Sequence, residues 1–91
     1  MNNNYKKGIR VFKDEVFIGK IYSDNSFAEL VRLYVDKANI FQMEFLMGSD
    51  IAYTFLGECT ELMSLLRDGI CGVSLERLGK ELIKRGYEQV N

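Results

Sequence analysis

Phe41, Met43, Phe45 and Met47 occupy alternate positions with Gln42 and Glu44 between them, the two-residue period of a strand with one buried face. Gly48-Ser49-Asp50 interrupts this run, and a second apolar stretch, Ile51–Leu56, follows it. The whole segment from Ile40 to Gly57 is the most apolar part of the chain and is expected to form the centre of its core. Two readings of it stand. In one, Phe41–Met47 and Ile51–Leu56 are two strands of a hairpin. In the other, Ser49 or Asp50 caps a long helix with a stripe of Ala52, Phe55, Leu56, Cys59, Leu62, Met63 and Leu66. Gly57 would cost that helix about 1 kcal/mol relative to Ala.

The flanking segments carry their own patterns. Met1–Lys7 is polar and is expected to be a frayed tail. Ile9–Tyr22 reads as two strands about a polar turn at Lys13-Asp14-Glu15, with Gly19 marking a bulge or a close backbone approach. Ser26 followed by Glu29 is the spacing of a capping box. Phe27, Leu30, Val31, Tyr34 and Ala38 then recur at three- and four-residue steps, which predicts a helix from Ser26 through Ala38. A helix from about Glu58 to Arg67 is common to both readings of the centre, with Gly69 placed to end it in the left-handed conformation. Ile70–Val73 is expected to be a short link. Ser74 caps a last helix over Leu75–Arg85, closed by Gly86, with Leu75, Leu78, Leu82 and Ile83 inward and Tyr87 packing back. The predicted fold class is α+β: a small antiparallel sheet of three or four strands with three helices, in the order ββα-β(β)-αα, as a single domain over residues 1–91.

Composition refines this picture in two ways. Proline is absent, so Gly, Asn, Asp and Ser must make the turns. The net charge of −1 is unevenly spread. Residues 1–20 hold five basic and two acidic side chains, and residues 21–91 hold seven and eleven. The start MNNNYKKG has no apolar h-region and no run is long enough to span a bilayer, so a cytoplasmic protein with reduced Cys59 and Cys71 and no membrane partner is expected.

Candidate chemistry is sparse. The chain has no histidine, which removes histidine general bases, Ser-His and Cys-His nucleophiles and histidine-ligated zinc. Cys59 and Cys71 lack C-x-x-C spacing, and Cys59 on an apolar stripe reads as a small buried hydrophobe. Gly69 and Gly72 lack the residues of a phosphate-binding loop. The acidic residues read as solvated faces or as a negative surface for a basic partner. No catalytic, cofactor-binding or metal-ligating set is therefore predicted, and the chain is expected not to be an enzyme.

The one surface feature with a function to assign is the basic N-terminal end. Tyr5, Lys6, Lys7, Arg10, Lys13 and Lys20 form the candidate partner-binding set. Basic side chains beside an aromatic ring suit an acidic protein surface and equally a phosphate backbone with stacked bases. Lysine along a sheet edge also blocks unwanted strand pairing.

In size, charge and lack of an active-site constellation, the chain resembles the small inhibitors that phages and mobile elements encode against host defences, such as anti-CRISPR proteins. The resemblance covers general character and carries no motif or residue. It implies a non-catalytic protein that binds a larger protein or ribonucleoprotein stoichiometrically. A small nucleic-acid-binding regulator using the basic hairpin is the alternative. A third reading is a homo-oligomer, a homodimer in the simplest case, with the Met- and Phe-rich centre as its interface.

Overall fold

The computed structural model describes residues 5–69 and 74–91. Its elements run β1 (Tyr5–Val11), β2 (Glu15–Tyr22), β3 (Phe27–Val35), β4 (Phe41–Phe45), α1 (Ser49–Glu58), α2 (Thr60–Arg67), α3 (Leu75–Lys84) and β5 (Glu88–Gln89). The strands form one mixed sheet in the order β4-β3-β2-β1-β5, in which only β5 pairs in parallel, with β1. The α+β class is as expected from the sequence, as are the helices α2 and α3; the sheet is mixed rather than antiparallel, and α1 was expected only in the second reading of the centre. The sheet has more strands than expected, for reasons that lie in particular residues.

β1 and β2 form the expected hairpin, with Ile9 opposite Ile18 and Val11 opposite Val16. The turn is closed by the Phe12 N–H donating to the Glu15 carbonyl at 2.8 Å. Tyr5, Lys6 and Lys7 are part of β1 rather than of a frayed tail; Met1–Asn4 lie outside the described residues. The segment expected to be a helix from Ser26 to Ala38 is strand β3. The helix-like spacing arises from a bulge. The β2–β3 register shifts between Ile18 and Gly19, so Leu30 is an extra residue opposite them. Leu30 and Val31 consequently both enter the core, at 2% and 0% exposure, and the alternation changes phase there. Two strand phases joined at a bulge place apolar residues three and four apart, as a helix does. The Ser26–Glu29 capping box is absent for the same reason. The Ser26 N–H and hydroxyl instead both donate to the Asp24 carboxylate, at 3.0 and 2.6 Å, in the β2–β3 turn.

The central stretch divides between the two readings. Phe41–Phe45 is a strand, but its partner is β3 and not Ile51–Leu56. Ser49–Glu58 is a helix that runs through Gly57, where an added β-carbon would meet nothing within 4 Å outside the helix's own backbone. The long helix breaks at Cys59, which leaves helical geometry at φ −95° and ψ 62° between α1 and α2. Gly69 is left-handed at φ 77°, as a helix stop requires. Ser74 caps α3 by accepting the Arg77 N–H at 3.3 Å. The link over Ile70–Val73, with Cys71, lies outside the described residues.

All three helices cover one face of the sheet. Ile9, Val16, Ile18, Val31 and Leu33 meet Ala52, Phe55, Leu62, Leu78 and Leu82 there, and all are fully buried. Tyr87 joins them as the chain leaves α3, and the Val90 N–H donates to the Ile9 carbonyl at 2.7 Å to hold β5 on β1. The other face of the sheet carries no helix.

Candidate protein-binding surface

A strand sends neighbouring residues to opposite faces, and this divides the basic N-terminal set. Tyr5, Lys7 and Lys20 lie on the helix-covered face. Lys6 and Arg10 lie on the uncovered one. Lys13 sits exposed in the β1–β2 turn. No single basic patch forms.

On the covered face, the Lys7 ammonium donates to the Glu58 carbonyl at 2.6 Å and to the Glu61 carboxylate at 3.3 Å. The Tyr87 hydroxyl donates to the same Glu61 oxygen at 3.2 Å. Cys59 lies fully buried beside them. Burial pushes the Cys59 thiol and the Tyr87 phenol up from their ordinary values, so both stay protonated. The cluster ties α2 to β1 and the C-terminal turn; it holds no activated nucleophile. For Glu61, burial pushes the carboxyl up, but its own backbone N–H, Lys7 and Tyr87 outweigh this and hold it below the usual range. Lys20 spans the rings of Tyr5, at 4.5 Å, and Phe55, at 6.0 Å, a cation–π contact that holds the β2 end over α1.

These groups set a pH profile. Cys59 and Tyr87 have raised values when folded, so above the unfolded values of 9.0 and 10.0 the unfolded chain releases protons that the folded one keeps. Stability is expected to fall as pH rises past that window. Glu61 has the opposite sign, and its contribution is lost as pH drops below its unfolded value of 4.5. Urea midpoints measured across pH should fall at both ends. An alkaline decline unchanged in a Cys59→Ala, Tyr87→Phe variant would contradict the assignment.

On the uncovered face, the charged side chains pair with one another, although the buried Arg10 Nε finds no partner among the described residues. Arg10 donates to Glu29 at 2.6 Å and lies over the Phe27 ring at 5.3 Å. Arg32 donates to Glu15 and, at 3.0 Å, to Glu44, while its guanidinium stacks on Tyr34 at 3.9 Å. Lys6 reaches Glu88 at 3.4 Å. Between these pairs stand Phe17 and Phe27, half-buried, and Phe12, which is 48% exposed and meets Phe17 edge-on at 6.0 Å. Ile21 and the Phe27 ring lie over Gly8, whose missing β-carbon would come within 2.6 Å of Ile21. A shallow groove of about 590 Å³ opens between Phe17, Phe27, Glu29, Leu46 and Met47. The face offers aromatic surface and matched charges.

Of the predicted set, only Lys6 and Arg10 therefore reach this face, and both are already engaged. Lys13 and Lys20 make no ion pair among the described residues. Phe17, Phe27, Arg32 and Tyr34 were not in the predicted set; a helix over 26–38 puts Phe27 and Tyr34 on its buried stripe and Glu29 and Arg32 on its wet face. Read as a strand with a bulge, the same residues fall into one row. The acidic residues are similarly committed. Glu29, Glu44 and Glu61 answer cations, and Asp36 accepts from the Ala38 and Ile40 N–H groups to close the β3–β4 turn.

Among the described residues, no group of three or more His, Cys, Asp or Glu is arranged to hold a metal ion, and no helix is long and apolar enough to cross a membrane. No protein-family model, curated protein or solved structure matches the chain.

Proposed function

We propose that this chain is a non-catalytic protein-binding module, a small regulatory or inhibitory protein of the phage-encoded, anti-CRISPR-like kind. It acts by stoichiometric binding to a larger protein or ribonucleoprotein. The observation that carries this reading is the composition of the uncovered sheet face. Phe12, Phe17, Phe27 and Tyr34 stand there beside Arg10 and Arg32, whose charges are already met by Glu29, Glu15 and Glu44. Aromatic residues and arginine concentrate at the centres of protein interfaces. Phosphate backbones demand the reverse arrangement, cations without a carboxylate beside them.

The test has two arms. Affinity capture from the source cell, quantified by mass spectrometry, is expected to retain a larger partner on the native chain. A Phe12→Ser, Phe17→Thr variant should lose most of it with an unchanged circular dichroism spectrum. Equal capture by both would contradict the assignment of this face. In the other arm, labelled RNA and DNA are expected to show no saturable binding at low salt. Tight binding that weakens steeply as salt rises would favour the nucleic-acid regulator instead.

A further inference from the structure

β4 is an outer strand, paired with β3 on one side and with no strand of the described residues on the other. The Leu46 N–H donates inward to the Leu30 carbonyl, and the Asp36 N–H donates to the Ile40 carbonyl, each at 3.0 Å. Antiparallel alternation then turns the backbone groups of Phe41, Met43 and Phe45 outward, three donors and three acceptors in a row. Edge protection is thin, and the one charge on β4, Glu44, is paired with Arg32. β4 contains no proline, no lysine and no register break. Its surroundings are apolar: Ile40, Met47, Ile51 and Tyr53 are 52–73% exposed, and the Tyr53 ring lies 6.4 Å from that of Phe45. The opposite edge differs, since β5 has only two residues, both polar.

We infer that β4 pairs with β4 of a second copy of this chain, antiparallel about a two-fold axis at Met43. The occupant follows from the sequence of the edge itself. Phe41-Gln42-Met43-Glu44-Phe45 has the same chemical order in both directions. An axis at Met43 sets Phe41 of each copy opposite Phe45 of the other, Met43 opposite Met43, and Gln42 opposite Glu44. On the covered face this yields two aromatic pairs and a methionine pair. On the uncovered face each Glu44 carboxylate meets a carboxamide. One Gln42 amide proton is taken by Asp36 at 3.0 Å, and the other is left for that carboxylate. Every outward-facing backbone group of the three residues finds a partner in this register. Moving the axis to Glu44 brings two carboxylates face to face, which opposes pairing. Moving it to Gln42 sets Ile40 against Glu44. The paired sheets form one continuous sheet of ten strands, with the aromatic surface of the uncovered face repeated on each half. The pairing shares only Glu44, the partner of Arg32, with the proposed partner surface, so either can fail without the other.

Light scattering after size exclusion should give twice the 10.5 kDa of the chain at tens of micromolar. A Met43→Pro variant removes an outward N–H, leaves the β3 ladder intact, and should weaken dimerisation about tenfold or more, since two bonds are lost per dimer. Disulfide trapping reads the register without depending on that variant. In a Cys59→Ala, Cys71→Ser background, Met43→Cys should cross-link on oxidation, because directly opposed residues in a hydrogen-bonded pair lie about 5.5 Å apart at their α-carbons. Ile40→Cys, displaced from its own copy along the strand, should not. A monomer at hundreds of micromolar would overturn the inference, as would a dimer trapped at Ile40 and not at Met43.

Discussion

Replacing Gly19 with alanine is expected to cost about 3 kcal/mol or more, a large share of the roughly 5–14 kcal/mol available to a domain of this size. A β-carbon there would fall on the Ala28 carbonyl oxygen and close to the Ala28 carbonyl carbon and Glu29 α-carbon. These are backbone atoms of the neighbouring strand, so no side chain can rotate away. Relief would require β2 and β3 to separate at the bulge, where Leu30 and Val31 enter the core together. Gly57→Ala is the matched comparison. Nothing lies within 4 Å of that position and it is in a helix, so alanine should stabilise by about 0.5–1 kcal/mol. Urea denaturation reads both. Similar midpoints for the two variants would mean that β2 and β3 do not approach at Gly19 as described.

The second large effect is expected at Phe55. It is fully buried on α1 and is the largest side chain so enclosed. Its ring meets Tyr5 at 6.4 Å and carries part of the Lys20 contact. Phe55→Ala should cost about 3–5 kcal/mol from lost transfer energy and the cavity left behind. It should also loosen the start of β1, which amide hydrogen exchange at Tyr5–Lys7 would report. Phe55→Leu, nearer in volume, should recover most of the loss. A cost below about 1 kcal/mol for the alanine variant would mean that the Phe55 ring is not enclosed between α1 and the sheet.

Legibility in the sequence followed how far local pattern and tertiary role coincide. The β1–β2 hairpin, the break at Gly69 and the Ser74 cap were readable because each depends on residues within a turn of one another. Gly19 was readable as a bulge or close approach, but its consequence for β3 was not. The extra residue lies on the other strand, and a phase change in Phe27–Val35 imitates helical spacing. β5 could not be read at all. Glu88 and Gln89 have no apolar pattern, and they become a strand only because the Tyr87 side chain is buried and the Val90 N–H finds Ile9. The candidate surface suffered most from this. Lys6 and Lys7 are adjacent in sequence and point to opposite faces, so a basic cluster on paper becomes several separate ion pairs in space. Charge reversal at Lys7 or Arg10 accordingly tests the fold as much as binding, since each would set carboxylate against carboxylate at a half-buried site.

We place the partner on the uncovered sheet face and not on the helical side. Placing a photoreactive benzoylphenylalanine at Phe17, and separately at the exposed Glu76 of α3, and irradiating in the source cell tests this directly. A discrete cross-linked species from position 17, heavier than the chain and its dimer, with none from position 76, is the predicted result. Cross-linking from position 76 alone, or from neither position, would contradict it.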